Sequence, residues 1–510
     1  MIDLEKIKKI YFIGIGGIAM SATACIAKQA SFEVVGSDSK EVYSPAKDVI
    51  DQAKLNYHKG YDKKNIEVSK ADLFVLSAGE DASNPEVKYA LKHDLHRVGF
   101  PELLYEISKE KLRMVITGTH GKTTTAGFLG HLLKNLDDSS FLTGGVLQNY
   151  GKNFSLGEGH YFVFEGDEYK TQFDNPTPKF HYYKPDILVL TNLEYDHPDL
   201  FASFEDLERE FEQLIANLPE DGLIVYNADN ANLSRLVHKT EVASISFGID
   251  NEADYKVEQI KYEKDYTTFD VLNKFSKNVS AHLLGQTESY KIQLPGRMNV
   301  YNALTAVATL RALGFEQDQI QLDLLSFTGI KRRFEVVGVK NGITLIDDYA
   351  HHPTAVRETL DAARLRYFPV KDQGLKIKDN GRLWAIFEPH TFSRTKATLE
   401  DLAKSFDNAD QVLISEIYPA REKVSDASIS SKDVVDAVLS SSPGPDGTVG
   451  AGEERVGRGR TDGDDKNVRL VKNKKQALDI IKKEAKSDDI VIVMAVGAFN
   501  RLAYELKDIL

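Results

Sequence analysis

The chain has 510 residues, a formal net charge of −13 and a single cysteine, Cys25. Its acidic and basic residues are mixed throughout, which argues against both a nucleic-acid footprint and a membrane-surface face, and one cysteine excludes an internal disulfide or a thiolate metal cage. The length accommodates about three domains, no apolar run reaches a membrane span, and the acidic start Met1-Ile-Asp-Leu-Glu is unlike a secretory leader, so a cytoplasmic enzyme is expected.

The first apolar strand, Ile10-Tyr-Phe-Ile-Gly14, ends in Gly14-Ile-Gly-Gly-Ile-Ala-Met-Ser21 and a helical run to Ala30 that carries Cys25 as a core residue. Gly14, Gly16 and Ala19 have the G-x-G-x-x-G/A spacing, and a strand from Glu33 to Val35 then delivers Gly36-Ser37-Asp38 where dinucleotide folds keep a ribose-binding acid. Three readings stand at this point: an NAD site, a Rossmann-like domain for another nucleotide diphosphate, or a structural βα turn. Strand Leu73 to Leu76 and a helix reaching His93 continue the alternation, and the domain is expected to span residues 1–110.

The second domain, 111–329, opens on Met114-Val-Ile-Thr-Gly-Thr-His-Gly-Lys-Thr-Thr-Thr125. An apolar strand runs into a glycine turn and then a helix, from Thr124 to about Asn135. Gly118 and Gly121 let backbone N–H groups converge, Lys122 adds a mobile charge, and Thr123 offers a hydroxyl to Mg²⁺. The spacing departs from the strict Walker pattern, because Ile116 stands where its first glycine would be. Strands Tyr161 to Phe164 and Ile187 to Leu190 end in Glu165-Gly-Asp-Glu168 and Thr191-Asn-Leu-Glu-Tyr-Asp-His197. If these strands are parallel, both acidic clusters share the cradle's edge, where hard carboxylates suit a cation bridging phosphates. A polar, alternating stretch from Tyr255 to Leu294 reads as a β-rich flank, followed by Gly296-Arg-Met-Asn-Val-Tyr-Asn302 and a helix.

The third domain, 330–510, follows Arg332-Arg333. Strands Thr344 to Ile346, Leu383 to Phe387, Val412 to Ser415 and Ile490 to Met494 each end in a polar cluster, the layout of another αβ domain with a site along one edge. Residues 440–467, rich in Gly, Pro, Asp, Glu and Arg, read as a surface insertion without chemistry.

Together these motifs resemble the Mur ligases, which join amino acids or peptides to UDP-N-acetylmuramic acid at the expense of ATP. The resemblance rests on Gly14 to Ser21, Gly36 to Asp38, Thr117 to Thr125, Glu165 to Glu168, Asn192 to His197, Gly296 to Asn302, Arg332 to Phe334, Asp347 to Pro353 and Glu388 to Arg394. It implies an α/β fold of three domains: a Rossmann-like UDP-binding domain, a central P-loop ATPase domain and a C-terminal Rossmann-like domain. It also replaces the NAD reading with a UDP site at Gly14, Gly16, Gly17, Ser21, Ser37 and Asp38.

By the same resemblance, Gly118, Thr119, His120, Gly121, Lys122, Thr123 and Thr124 would hold ATP, with Lys122 on the β- and γ-phosphates. Thr123 and Glu165 would bind one Mg²⁺ and His197 a second; Asn299 and Asn302 would contact the adenine. Arg332 and Asp348 would close over the phosphates, and Tyr349, His352, His390 and Arg394 would meet the incoming amino acid. The substrates implied are UDP-N-acetylmuramate and an amino acid or short peptide, with neither nucleic acid nor membrane as partner. No lysine lies between Asp199 and Ile215, where several members carry a carbamylated one. Members that add L-alanine and those that attach a recovered tripeptide both manage without it. The middle domain resembles the tripeptide ligases, while Glu388 to Thr395 and Ile417 to Lys423 resemble the L-alanine ligases. The third domain receives the nucleophile, so L-alanine is expected. A non-catalytic nucleotide-binding regulator, or a ligase for a different acid, is the contrasting hypothesis.

Overall fold

In the computed structural model, which describes residues 2–196, 200–274, 285–368, 381–420, 422–441 and 467–510, the apolar runs become strands of three large sheets, beside a two-stranded one of Lys170–Gln172 and Asn175–Pro178. The first sheet is wholly parallel, in the order Asn56–Lys59, Glu33–Asp38, Lys9–Ile13, Leu73–Leu76, Arg97–Gly99. Its order reverses direction at Lys9–Ile13, so the glycine turn after Ile13 stands at the switch point, where such sheets open a crevice. The second strand runs on through Gly36-Ser37-Asp38, three residues beyond the expected end at Val35. It does so because Ser37 pairs with Ile13 on one side and Asp38 with Lys59 on the other.

The central sheet has ten strands. Leu112–Thr117 lies between Ile187–Leu190 and Tyr161–Glu165, parallel to both, with Thr117 opposite Leu190 and Ile116 opposite Glu165. The condition set by the sequence is met: the cradle and both acidic clusters leave the same sheet edge. The stretch from Tyr255 onward forms the antiparallel strands Tyr255–Tyr262, Thr267–Asn273 and Thr287–Ile292. Helices Lys122–Asp137 and Arg297–Ala312 pack together over this sheet, and their Phe128, Leu132, Leu304 and Val307 are fully buried in the same core. Beyond the Asn192 loop, helix Phe204–Ala216 starts at a capping box in which Ser203 and Asp206 satisfy each other's backbone N–H groups. Ser203→Ala is expected to lower the urea midpoint by the equivalent of about 1 kcal/mol.

The third sheet runs Glu335–Lys340, Ile343–Asp348, Ile490–Met494, Leu383–Phe387, Gln411–Ser415, Asn467–Val471, parallel except for its first strand. Here too a strand outruns its apolar core: Asp347 and Asp348 belong to the sheet, paired with Val493 and Met494, rather than to the loop after it. Ser440 and Ser441 end helix Ser431–Ser441 and Asn467 begins the last edge strand, while the rest of the expected insertion, 442–466, lies outside the described residues.

Candidate active site

The cradle is built from backbone that only glycine adopts easily. Gly118 has φ +135°, and a Cβ there would stand 2.3 Å from Thr191 Oγ1; Gly121 has φ +81°, with its Cβ direction blocked by Asn302 Oδ1 at 2.5 Å. Asn192, on the neighbouring strand's loop, sets the curve: its Oδ1 accepts from His120 N at 2.7 Å, its carbonyl from Thr119 N at 3.1 Å, and its Nδ2 donates to His120 O at 3.0 Å. Helix Lys122–Asp137 begins at once after Gly121, so its unpaired N–H groups face the cradle.

Lys122 sits in the first helical turn and donates to both oxygens of Glu168 at 3.0 Å. Burial disfavours its charge, but Glu168, joined by Asp167 and Glu165, more than offsets burial and raises its pKa above the usual lysine value. Thr123 donates its hydroxyl to Glu165 Oε1 at 2.7 Å, and Glu165 Oε2 accepts from Gly144 N. A hydroxyl and a carboxylate thus meet at the mouth of the cradle, a hard oxygen set that suits Mg²⁺. Thr124 continues the same turn and is buried.

A cleft runs from this cradle to the third domain, lined by Thr119 to Thr124, Glu165, Asn299, Arg333, Asp348, Tyr349, His352, His390 and Arg394. Asp348 accepts from Phe334 N at 2.7 Å and Ala350 N at 2.6 Å, while burial pushes its carboxyl pKa up. Arg332 is at φ +63°, donates to Ala495 O at 2.6 Å and lays its guanidinium over Tyr349 at 4.9 Å. Its neighbour Arg333 covers the same ring at 4.8 Å, and it is Arg333 that lines the cleft. The resemblance singled out Arg332 of this doublet, whereas the turn sends Arg333 to the cleft and Arg332 to the Ala495 carbonyl.

His352 caps helix Pro353–Tyr367 and packs its ring 4.7 Å from that of His120; burial, then the nearby His120, brings its pKa down to about 4. Arg394 donates from Nε and Nη2 to Asp196 Oδ1 at 3.1 and 2.9 Å, and its Nη1 lies 2.9 Å from His390 Nδ1. The guanidinium proposed for a substrate carboxylate is therefore engaged with a middle-domain acid across the domain boundary. Asn299 lines the cleft and donates to Pro295 O at 2.7 Å, whereas Asn302 stands behind the cradle, donating to Asn299 Oδ1 at 3.2 Å and accepting from Thr125 at 3.1 Å. His197 lies outside the described residues.

At the first domain's switch point, Gly14 has φ +80° and Gly17 caps helix Ile18–Gln29. Asp38 Oδ2 accepts from Gly16 N at 2.8 Å. Ser21 and Ser37 are buried behind the turn: Ser21 donates to Ile18 O at 3.1 Å and Ser37 to the buried Glu86 carboxylate, while Ser37 O accepts from Gly14 N and Ile15 N. These serines and Gly14 shape the turn from the inside, and Gly16, Gly17 and Asp38 form its face. Glu86, which carried no sequence signal, also accepts from Asn65 Nδ2 at 2.7 Å and Asp62 N at 3.1 Å and so ties the turn to the start of helix Lys63–Ser69.

A phosphate-type cradle on a central sheet, with a doubly wound domain before it and another αβ domain closing a cleft after it, defines the class of three-domain nucleotide-binding α/β proteins. Three family profiles match the chain: "Mur ligase family, catalytic domain" over residues 9–112, "Mur ligase middle domain" over 116–310 and "Mur ligase, glutamate ligase domain" over 332–497. The chain belongs to the Mur ligase family. UDP-N-acetylmuramate–L-alanine ligase of Clostridium acetobutylicum is 36% identical over 419 residues, covering 82% of this chain and 84% of that one. The enzyme of the same name from Clostridium tetani is 33% identical over 97% of this chain and 96% of its own. Among solved structures, UDP-N-acetylmuramate–alanine ligase from Thermotoga maritima shares the fold at TM-score 0.73, with 22% identity over 98% of both chains. A murein peptide ligase from Psychrobacter arcticus aligns at TM-score 0.67, with 26% identity over 99% of both.

Proposed function

We propose that the protein is an ATP-dependent carbon–nitrogen ligase that joins the carboxylate of UDP-N-acetylmuramate to L-alanine through an acyl phosphate, in peptidoglycan biosynthesis. The observation that carries this reading is that relatives named UDP-N-acetylmuramate–L-alanine ligase match at 33–36% identity over 82–97% of the chain, third domain included. The division of labour follows the three sheets: residues 1–110 for the sugar nucleotide, 111–329 for ATP, and 330–510 for the amine.

The sugar-acid carboxylate attacks the γ-phosphorus of ATP and ADP leaves; the amine then attacks the acyl carbon and inorganic phosphate leaves. Such transfer requires alignment and charge neutralisation rather than a strong base. Gly118, Thr119, His120, Gly121 and Thr124 offer the cradle, and Lys122 exchanges Glu168 for phosphate oxygens. Thr123 and Glu165 would hold Mg²⁺, which when bound neutralises phosphate charge, and His197 would serve a second ion. Asn299 meets the adenine and Asn302 supports it from behind. Arg332, with Arg333 beside it, and Asp348 close over the phosphates; Tyr349, His352, His390 and Arg394 face the amine, Arg394 after release from Asp196. Gly16, Gly17 and Asp38 meet the UDP end, with Gly14, Ser21 and Ser37 behind them. Among the described residues no helix is long and apolar enough to cross a membrane.

A murein peptide ligase from Neisseria meningitidis is 32% identical over 64% of the chain, so the tripeptide is the alternative amine. Phosphate release with ATP and UDP-N-acetylmuramate separates the two. Turnover with L-alanine and none with L-alanyl-γ-D-glutamyl-diaminopimelate is expected, and the reverse result would replace this assignment with the recycling reaction.

A further inference from the structure

The structure assigns a second cation site to His120, Glu194 and His352, one whose two imidazoles and one carboxylate converge across the domain boundary and take a transition-metal ion such as Zn²⁺ rather than Mg²⁺. The three residues each offer a ligand atom, and these atoms all lie within 4.8 Å of one another. His120 Nε2 and Glu194 Oε2 are 3.2 Å apart. That separation is slightly inside the edge, about 3.3–3.6 Å, of a tetrahedral site whose ligands are bound at about 2.0–2.2 Å. A simple histidine–glutamate hydrogen bond would explain this one distance. It would not explain why His352, from another domain, brings its ring to 4.7 Å from that of His120 at 45°.

The donor chemistry separates this site from the cradle mouth. Thr123 and Glu165 present oxygen only, which suits Mg²⁺, whereas two imidazoles and a carboxylate suit Zn²⁺, Fe²⁺, Co²⁺ or Ni²⁺. Access is open, because the Glu194 side chain is 42% exposed and its two partners, His120 and His352, line the cleft. Position gives the site its consequence. His120 is on the cradle, Glu194 follows strand Ile187–Leu190, and His352 caps a third-domain helix. An ion on all three fastens the third domain to the cradle and withdraws His120 from any phosphate, so bound Zn²⁺ holds the enzyme shut and inactive. The inference stands on these three side chains and does not depend on which amine the enzyme uses.

Cobalt(II) is the probe, titrated into the full-length protein in the absence of nucleotide and in an excess of Mg²⁺. One equivalent is expected to bind with the visible absorption of a four- or five-coordinate ion. Glu194→Gln and His352→Ala should each weaken that binding by more than about tenfold, the lower end of the loss caused by removing even an outer partner of a metal ligand. Far-UV circular dichroism checks the fold of each variant, and Glu194→Gln, which keeps the side chain's shape, decides the matter if His352→Ala misfolds. An absent band, a band displaced by Mg²⁺, or a band retained in the folded variants overturns the assignment.

Discussion

Lys122→Ala is expected to lower ATP-dependent phosphate release by about 10³-fold, the upper range for removing one preorganised charge-stabilising donor, while binding of UDP-N-acetylmuramate stays near its original strength. The ammonium stands at the start of helix Lys122–Asp137 and is held at 3.0 Å by Glu168, with Asp167 and Glu165 also close enough to favour its charge. Taking it away removes a phosphate ligand and also leaves carboxylates facing a polyanion without a counter-charge. The loss should therefore fall on turnover and on ATP affinity together. The sugar nucleotide is assigned to the turn at Gly14, and among the described residues none of the first domain lines the cleft around Lys122. Calorimetric titration of the variant with UDP-N-acetylmuramate tests that separation, and loss of both activities would mean that the two ligands share one site.

The strand, turn and helix around Lys122 were legible because each step is local: an apolar run, glycines at the positions with positive φ, and a helix beginning next to them. The shared edge of Glu165 and the cradle was legible only as a condition, since parallel pairing of Ile116 with Glu165 joins segments far apart in the chain. What could not be read were the partners. Glu168 on Lys122, Asp196 on Arg394 and Glu86 on Ser37 are separated by 46, 198 and 49 residues, and no periodicity records such contacts. For the same reason strand ends were misplaced at Ser37 and at Asp347: polar residues look like loop until a neighbouring strand is there to pair with them. The roles expected of Arg394 and Asn302 meet the same limit. Sequence identifies a guanidinium or an amide, and the fold determines what already engages it.

Asp347 shows how far a buried partner can alter a residue's chemistry. It is 1% exposed, neither of its oxygens accepts a hydrogen bond among the described residues, and its nearest cation, Arg332 Nε, is 3.8 Å away. Burial pushes its pKa up to about 7 from an ordinary 3.8; Arg332 opposes the rise, while Glu335 and Asp348 add to it. A carboxyl raised in this way binds its proton more tightly folded than unfolded. Its contribution to stability is complete below the unfolded pKa and is lost as pH rises through the folded one. Between about pH 5 and about pH 8 the wild-type protein should therefore lose about 3 kcal/mol from this group, two pKa units at about 1.4 kcal/mol each. Asp347→Asn cannot ionise and should show no such loss, so that it is the more stable protein near pH 8 and the advantage shrinks toward pH 5. Urea midpoints of the two proteins at both pH values measure the difference. Parallel behaviour would mean that Arg332 holds Asp347 as a true ion pair, and that the guanidinium is not free to leave for a phosphate.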